Sequence, residues 1–123
     1  MKWQIFTFNT GYNYKNSISN GAFFNMAARL GYYTQNQTYF DWANRMWDWQ
    51  QGVGLMSDKY AIFDGTDDTL NCTQQNHIQW TYNAGVYLLG ASVMWNQVRL
   101  SHSYPSTSHD TLAMLSDSLT LIC

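Results

Sequence analysis

Basic residues are scarce in this chain, with six lysines and arginines against eight aspartates and glutamates and a formal net charge of -2. Proteins that grip a phosphate backbone neutralise it with clustered cations, so nucleic acid is excluded as a partner. No run of about 18 or more apolar residues occurs, which leaves no helix to span a bilayer. The histidines, His77, His102 and His109, are dispersed. Zinc needs three or four convergent ligands, so neither a metal nor a cofactor is expected. No glycine-rich phosphate loop follows a strand, and no serine or cysteine sits in a nucleophile elbow. The two cysteines, Cys72 and Cys123, define no disulfide framework; they pair only if the fold brings them together.

Targeting signals are also sparse. MKWQIFTFNTGY lacks the long apolar region and small-residue cleavage site of a secretory leader, and the carboxyl terminus shows no lipid-anchor pattern. Taken alone, this reads as cytosolic. Two N-glycosylation sequons, Asn36-Gln37-Thr38 and Asn71-Cys72-Thr73, point the other way.

Aromatic residues, by contrast, are abundant. Six tryptophans and nine tyrosines among 123 residues exceed the needs of one core, because each large ring with a polar atom wants a partner or a wet edge. Some of these rings are expected to face a groove. The length suits a single domain.

Along the chain, Lys2 to Phe8 alternates loosely, as a short strand or an extended aromatic arm. Ser17 or Ser19 is placed to cap a helix whose stripe runs through Phe23, Ala27 and Leu30, flanked by Phe24 and Ala28, and ends near Gly31 to Thr34. Phe40, Ala43 and Trp47 predict a second helix from Gln37 to about Gln50, stopped by Gly52 and Gly54. So short a connection predicts an antiparallel pair. Leu55 to Phe63 reads as a small hairpin or irregular arm, Asp64-Gly65 as a turn, and Asp64 to Asn76 as a loop. A third helix is expected over Gln79 to Gln97, where Gly85, Gly90, Ala91 and Ser92 permit a close helix approach. From Val98 to Cys123 the composition changes to a serine-rich, weakly apolar tail. Three helices with wide apolar faces suit a fragment of a larger helical array, and self-association through those faces is expected of the chain alone.

Two clusters carry chemistry. Asp67-Asp68 is a carboxylate pair of the kind that can divide acid and base roles when held close in a poorly solvated site, but a DGTDD run in a loop is more often simply solvated. The other comprises Tyr12, Asn13, Tyr14, Asn16 and Asn20 in the first loop, with Gln79, Trp80, Tyr82 and Asn83 before the third helix. Rings stack on the apolar faces of sugars and amides exchange hydrogen bonds with hydroxyls, so this set fits a neutral, hydroxyl-rich ligand. Equally, Asn16, Asn20 and Asn83 can serve as helix caps, and Trp80 and Tyr82 as core filling.

The stretches KWQIF, GYNYKNSISNG, NQTYFDWANRMWDW, VGL, DGTDDTLNC and QWTYNAGVYLLGA occur in that order over about residues 2 to 97. On them the chain resembles the fungal endo-alpha-1,6-mannosidases of glycoside hydrolase family seventy-six. The resemblance implies an all-α fold: a partial (α/α)6 barrel of antiparallel helix pairs with long loops over residues 1–97, followed by an unrelated or disordered tail over 98–123. It implies hydrolysis or transglycosylation of alpha-1,6-mannan in the fungal cell wall by a retaining mechanism, by a secreted or lipid-anchored surface enzyme. The family's adjacent catalytic aspartates precede its KWQIF stretch, so Asp67 and Asp68 are not expected to replace them and the chain alone is expected to be inactive. Non-catalytic mannan binding, or a purely structural role, is the alternative. Asn13, Tyr14, Asn20, Asp64, Trp80 and Tyr82 are the expected neighbours of the glycan groove.

Overall fold

The structure is a computed structural model that describes Lys2 and residues 6–103, the side chains of residues 100–103 excepted. Of the strand or arm expected over Lys2 to Phe8, residues 3–5 lie outside these residues and residues 6–8 form a bend and turn; most of the expected tail, from residue 104 through Cys123, also lies outside.

Three helices dominate: α1 (Ser17–Thr34), α2 (Gln37–Gly52) and α3 (Thr81–Ser103). The first begins one residue earlier than the serines suggest, because Asn16 takes the capping position with extended backbone and its Oδ1 accepts from the Ser19 amide at 3.1 Å. A left-handed Gln35 (φ 54) ends α1, and Asn36 caps α2 by accepting from the Thr38 amide at 3.0 Å. The reversal between the helices is therefore local, and α2 folds back along α1. On its other side α1 packs against α3.

Because α1 is covered from two directions, its buried residues include Gly21, Phe24, Ala27, Ala28 and Gly31, whereas Leu30 of the expected stripe is exposed. Phe24 lies at the centre, with the Trp47 and Tyr87 rings each 5.5 Å from its own. Three glycines let the helices come this close, and a Cβ on Gly21 would stand 2.7 Å from the Tyr87 ring. A Cβ on Gly31 would stand 2.8 Å from the Phe40 ring, and one on Gly90 would collide with Phe24. Gly85, expected to share this role, has open space around its Cα and packs against nothing. The third helix runs past Gln97 to Ser103, since nothing breaks a helix before Pro105.

The all-α expectation is corrected by a three-stranded antiparallel sheet of β1 (Tyr14–Asn16), β2 (Gly65–Asp67) and β3 (Gln75–Asn76), in the order β1-β2-β3. Strands of two or three residues are too short to show an alternating pattern, and the β1–β2 pairing joins segments far apart in sequence. Asp64-Gly65 is accordingly not a turn tip. Gly65 opens β2 opposite Asn16, where a Cβ would meet the Lys15 carbonyl and Tyr14 ring at 2.7 Å. The expected loop from Asp64 to Asn76 is a β2–β3 excursion around a 3-10 turn at Asp68–Leu70. Leu55 to Phe63 is an arm pinned by a bridge between Met56 and Ile62. Cys72 is buried and is not a free thiol.

Candidate functional site

The amino-terminal ends of α1 and α3 meet at residue 64. The Asp64 carbonyl accepts from the Ser17 amide at 2.7 Å, and its own amide donates to the Asn76 carbonyl at 3.0 Å. Both faces of this peptide segment are thus clamped, and the side chain emerges from a fixed backbone. The Tyr14 hydroxyl donates to Asp64 Oδ1 at 2.5 Å, and Trp80 Nε1 donates to Oδ2 at 2.8 Å. Trp80 occupies the turn before α3, where its carbonyl accepts from the Asn83 amide at 3.1 Å. Its indole lies nearly parallel to the Tyr82 ring, with centroids 6.1 Å apart and planes 13° apart, and both residues are about half exposed.

Burial, reinforced by the hydrogen bond to Asp64, pushes the Tyr14 phenol up to about 12. The phenol therefore stays a donor to Asp64 throughout the neutral range. Because the folded pKa is raised, the stabilisation is complete below the ordinary value of 10.0 and is lost as pH rises through about 12. Urea midpoints of the wild type and Tyr14→Phe are expected to differ by a constant amount up to about pH 10 and to converge between about pH 10 and 12. A gap unchanged across that window would show that Tyr14 does not hold Asp64 in this way.

Four expected groove residues, Tyr14, Asp64, Trp80 and Tyr82, thus come together. Asn13 lies elsewhere: its Oδ1 accepts from Lys2 Nζ at 3.2 Å and its carbonyl from the Asp68 amide at 3.0 Å. Asn20 is fully buried in the first turns of α1, donating to the Asn16 carbonyl at 2.8 Å. Asn76, which no sequence pattern singles out, joins the cluster through Nδ2, 3.4 Å from the Tyr14 hydroxyl. Pairing of β3 with β2 brings it there, and that pairing has no local signature.

The carboxylate pair is occupied structurally. Asp67 caps the 3-10 turn by accepting from the Thr69 amide and hydroxyl at 2.8 and 2.6 Å, which holds its carboxyl below the usual range. Asp68 pairs with Lys2 at 2.8 Å, and this bond raises the lysine's pKa. The Lys2 ammonium also lies 4.1 Å from the centre of the Tyr12 ring. Side chains engaged in this way hold the loop together.

A carboxylate accepts about four hydrogen bonds, and Tyr14 and Trp80 supply two. Capacity remains for hydroxyl donors beside two exposed flat rings. That combination defines a surface suited to a polar ring ligand, mounted on helix ends. The glycosyl hydrolase family 76 model matches residues 1–119, and the chain belongs to that family. It is 50% identical over 103 residues to the mannan endo-1,6-alpha-mannosidase DCW1 of Eremothecium gossypii, covering 80% of this chain and 23% of that protein. It is likewise 50% identical over 99 residues to DCW1 of Saccharomyces cerevisiae, covering 78% and 22%. The crystal structure of Dfg5 from Chaetomium thermophilum in complex with glucosamine aligns with a TM-score of 0.77 at 45% identity, over 80% of this chain and 24% of that one. The three helices thus form part of that helical fold. The chain spans under a quarter of the length of these relatives.

Proposed function

We propose that this chain supplies a sugar-holding wall to an enzyme that hydrolyses or transglycosylates alpha-1,6-mannan at the fungal cell surface. The observation that carries the reading is Asp64, braced on both oxygens by Tyr14 and Trp80 beside the exposed Trp80–Tyr82 stack. Mannose presents hydroxyls to the carboxylate and a C–H face to the rings, and neither contact requires the sugar to carry charge. Relatives named as mannan endo-1,6-alpha-mannosidases, and a structural relative crystallised with glucosamine, support a glycan as the ligand. Asn13 belongs to the neighbouring Lys2–Asp68 edge, and Asn20 supports the wall from behind.

Bond cleavage needs two carboxyl groups facing the glycosidic bond, one to protonate the leaving oxygen and one to attack the anomeric carbon or activate water. In this chain Asp67 and Asp68 are engaged with Thr69 and Lys2. Asp64 is bonded by neutral donors. In this reading residues 1–123 alone bind the glycan without cleaving it. Purified chain incubated with an alpha-1,6-mannan oligosaccharide is expected to release no new reducing ends, while calorimetry detects binding. Turnover that disappears in an Asp67→Asn, Asp68→Asn double variant would overturn the assignment of roles, and failure to bind would overturn the wall itself. Leu88 and Trp95, 72% and 63% exposed on α3, are the face through which the isolated chain self-associates, which sedimentation of the same sample reads.

A further inference from the structure

We propose that Asn36 carries an N-linked glycan, and that the fold sets this glycan at the tip of the α1–α2 hairpin, clear of the sugar-holding wall. The inference rests on the cell-surface reading above, because such glycans are attached in the secretory pathway. Asn36-Gln37-Thr38 is an acceptor sequon whose residues are all exposed. Its asparagine already has a structural task, since Oδ1 caps α2 through the Thr38 amide at 3.0 Å. The two roles use different atoms of one amide. In the transfer, Nδ2 attacks the anomeric carbon of a polyprenyl-pyrophosphate-linked oligosaccharide. The N–C bond forms as the C–O bond to pyrophosphate breaks, Nδ2 gives up one proton, and polyprenyl pyrophosphate leaves. The product is still an amide, so Oδ1 remains an acceptor and the cap survives.

Position favours the same assignment. Asp64 is bonded to Ser17 at the start of α1, and Asn36 follows its end. An 18-residue helix separates the two by about 27 Å at 1.5 Å per residue. A glycan there shields the hairpin tip without obstructing the wall. The second sequon differs. Asn71 and Cys72 are both left-handed, with φ 51 and 50, Cys72 is buried, and the Thr73 hydroxyl donates to the Leu70 carbonyl at 2.8 Å. Once that turn closes the sequon is folded away, so occupancy is higher at Asn36 than at Asn71.

The test isolates the protein from surface and intracellular fractions of its source cells and removes N-glycans enzymatically in heavy-oxygen water. Peptide mass spectrometry then identifies each formerly glycosylated asparagine as labelled aspartate. Label at Asn36 exceeding that at Asn71 is the expected result. Surface protein without label at Asn36 overturns the inference while leaving the surface reading intact; protein found only inside the cell, unlabelled, overturns both. Asn36→Asp keeps a capping oxygen and removes the acceptor nitrogen. It is expected to lose one glycan's worth of mass with an unchanged melting temperature, and an unchanged mass would overturn the inference independently.

Discussion

Asp64→Ala is expected to lower affinity for an alpha-1,6-mannan oligosaccharide by about 10- to 150-fold. Hydrogen bonds to a charged group contribute about 1.5–3 kcal/mol, and each 1.4 kcal/mol is tenfold in affinity. The substitution also removes the acceptor of the Tyr14 hydroxyl and the Trp80 indole, so the ring platform loses its tether. Trp80→Phe separates the two effects. It keeps a flat ring but has no N–H to hold Oδ2, and an intermediate loss is expected. Asp64→Asn is not a mild change here, because both carboxylate oxygens receive donors and an amide NH2 cannot accept. Titration calorimetry of the three variants against one oligosaccharide gives the ranking. Wild-type affinity in Asp64→Ala, with the fold intact by circular dichroism, would remove Asp64 from the site.

The largest stability effect is expected from Phe24→Ala, about 3–5 kcal/mol, the range for deleting a fully buried large ring. Phe24 is 1% exposed, touches residues of all three helices and lies against Gly90. Its removal leaves a void that rigid helix backbones cannot close. A domain commonly holds only about 5–15 kcal/mol in reserve, so much of the stability would go. Gly90→Ala probes the same contact from the other side, adding a methyl where the Phe24 ring already sits, and a loss of about 1–3 kcal/mol is expected. Both are read from urea midpoints at constant slope. A Phe24→Ala loss below about 1 kcal/mol would mean that the three-helix contact does not hold the fold together.

The helices were legible because their signals are local. Phe40 and Ala43 recur on one face of α2, and the short Gln35-Asn36 reversal dictates an antiparallel return. The rotation of α1 was not legible, since Phe23, Phe24 and Leu30 are all apolar and only the positions of α2 and α3 decide which of them are covered. For the site, residue chemistry put forward Tyr14, Asp64, Trp80 and Tyr82, which the fold brings together. The same reasoning put forward Asn20, which is buried, and passed over Asn76, which reaches the Tyr14 hydroxyl. An amide gives no sign of its direction until its backbone is placed.

By itself, then, the sequence determined family membership, the existence of three helices and the aromatic and amide character of the candidate site. These depend on residue identity, order and short-range periodicity, which the chain carries in one dimension. Tertiary structure alone decided that Asp64 is gripped from two sides and that Asp68 is spent on a lysine. It alone showed that three very short strands tie the first loop to the stretch between the second and third helices. Those outcomes depend on hydrogen bonds between residues up to 66 positions apart, Lys2 to Asp68 and Tyr14 to Asp64 among them, and such pairings have no local pattern to announce them.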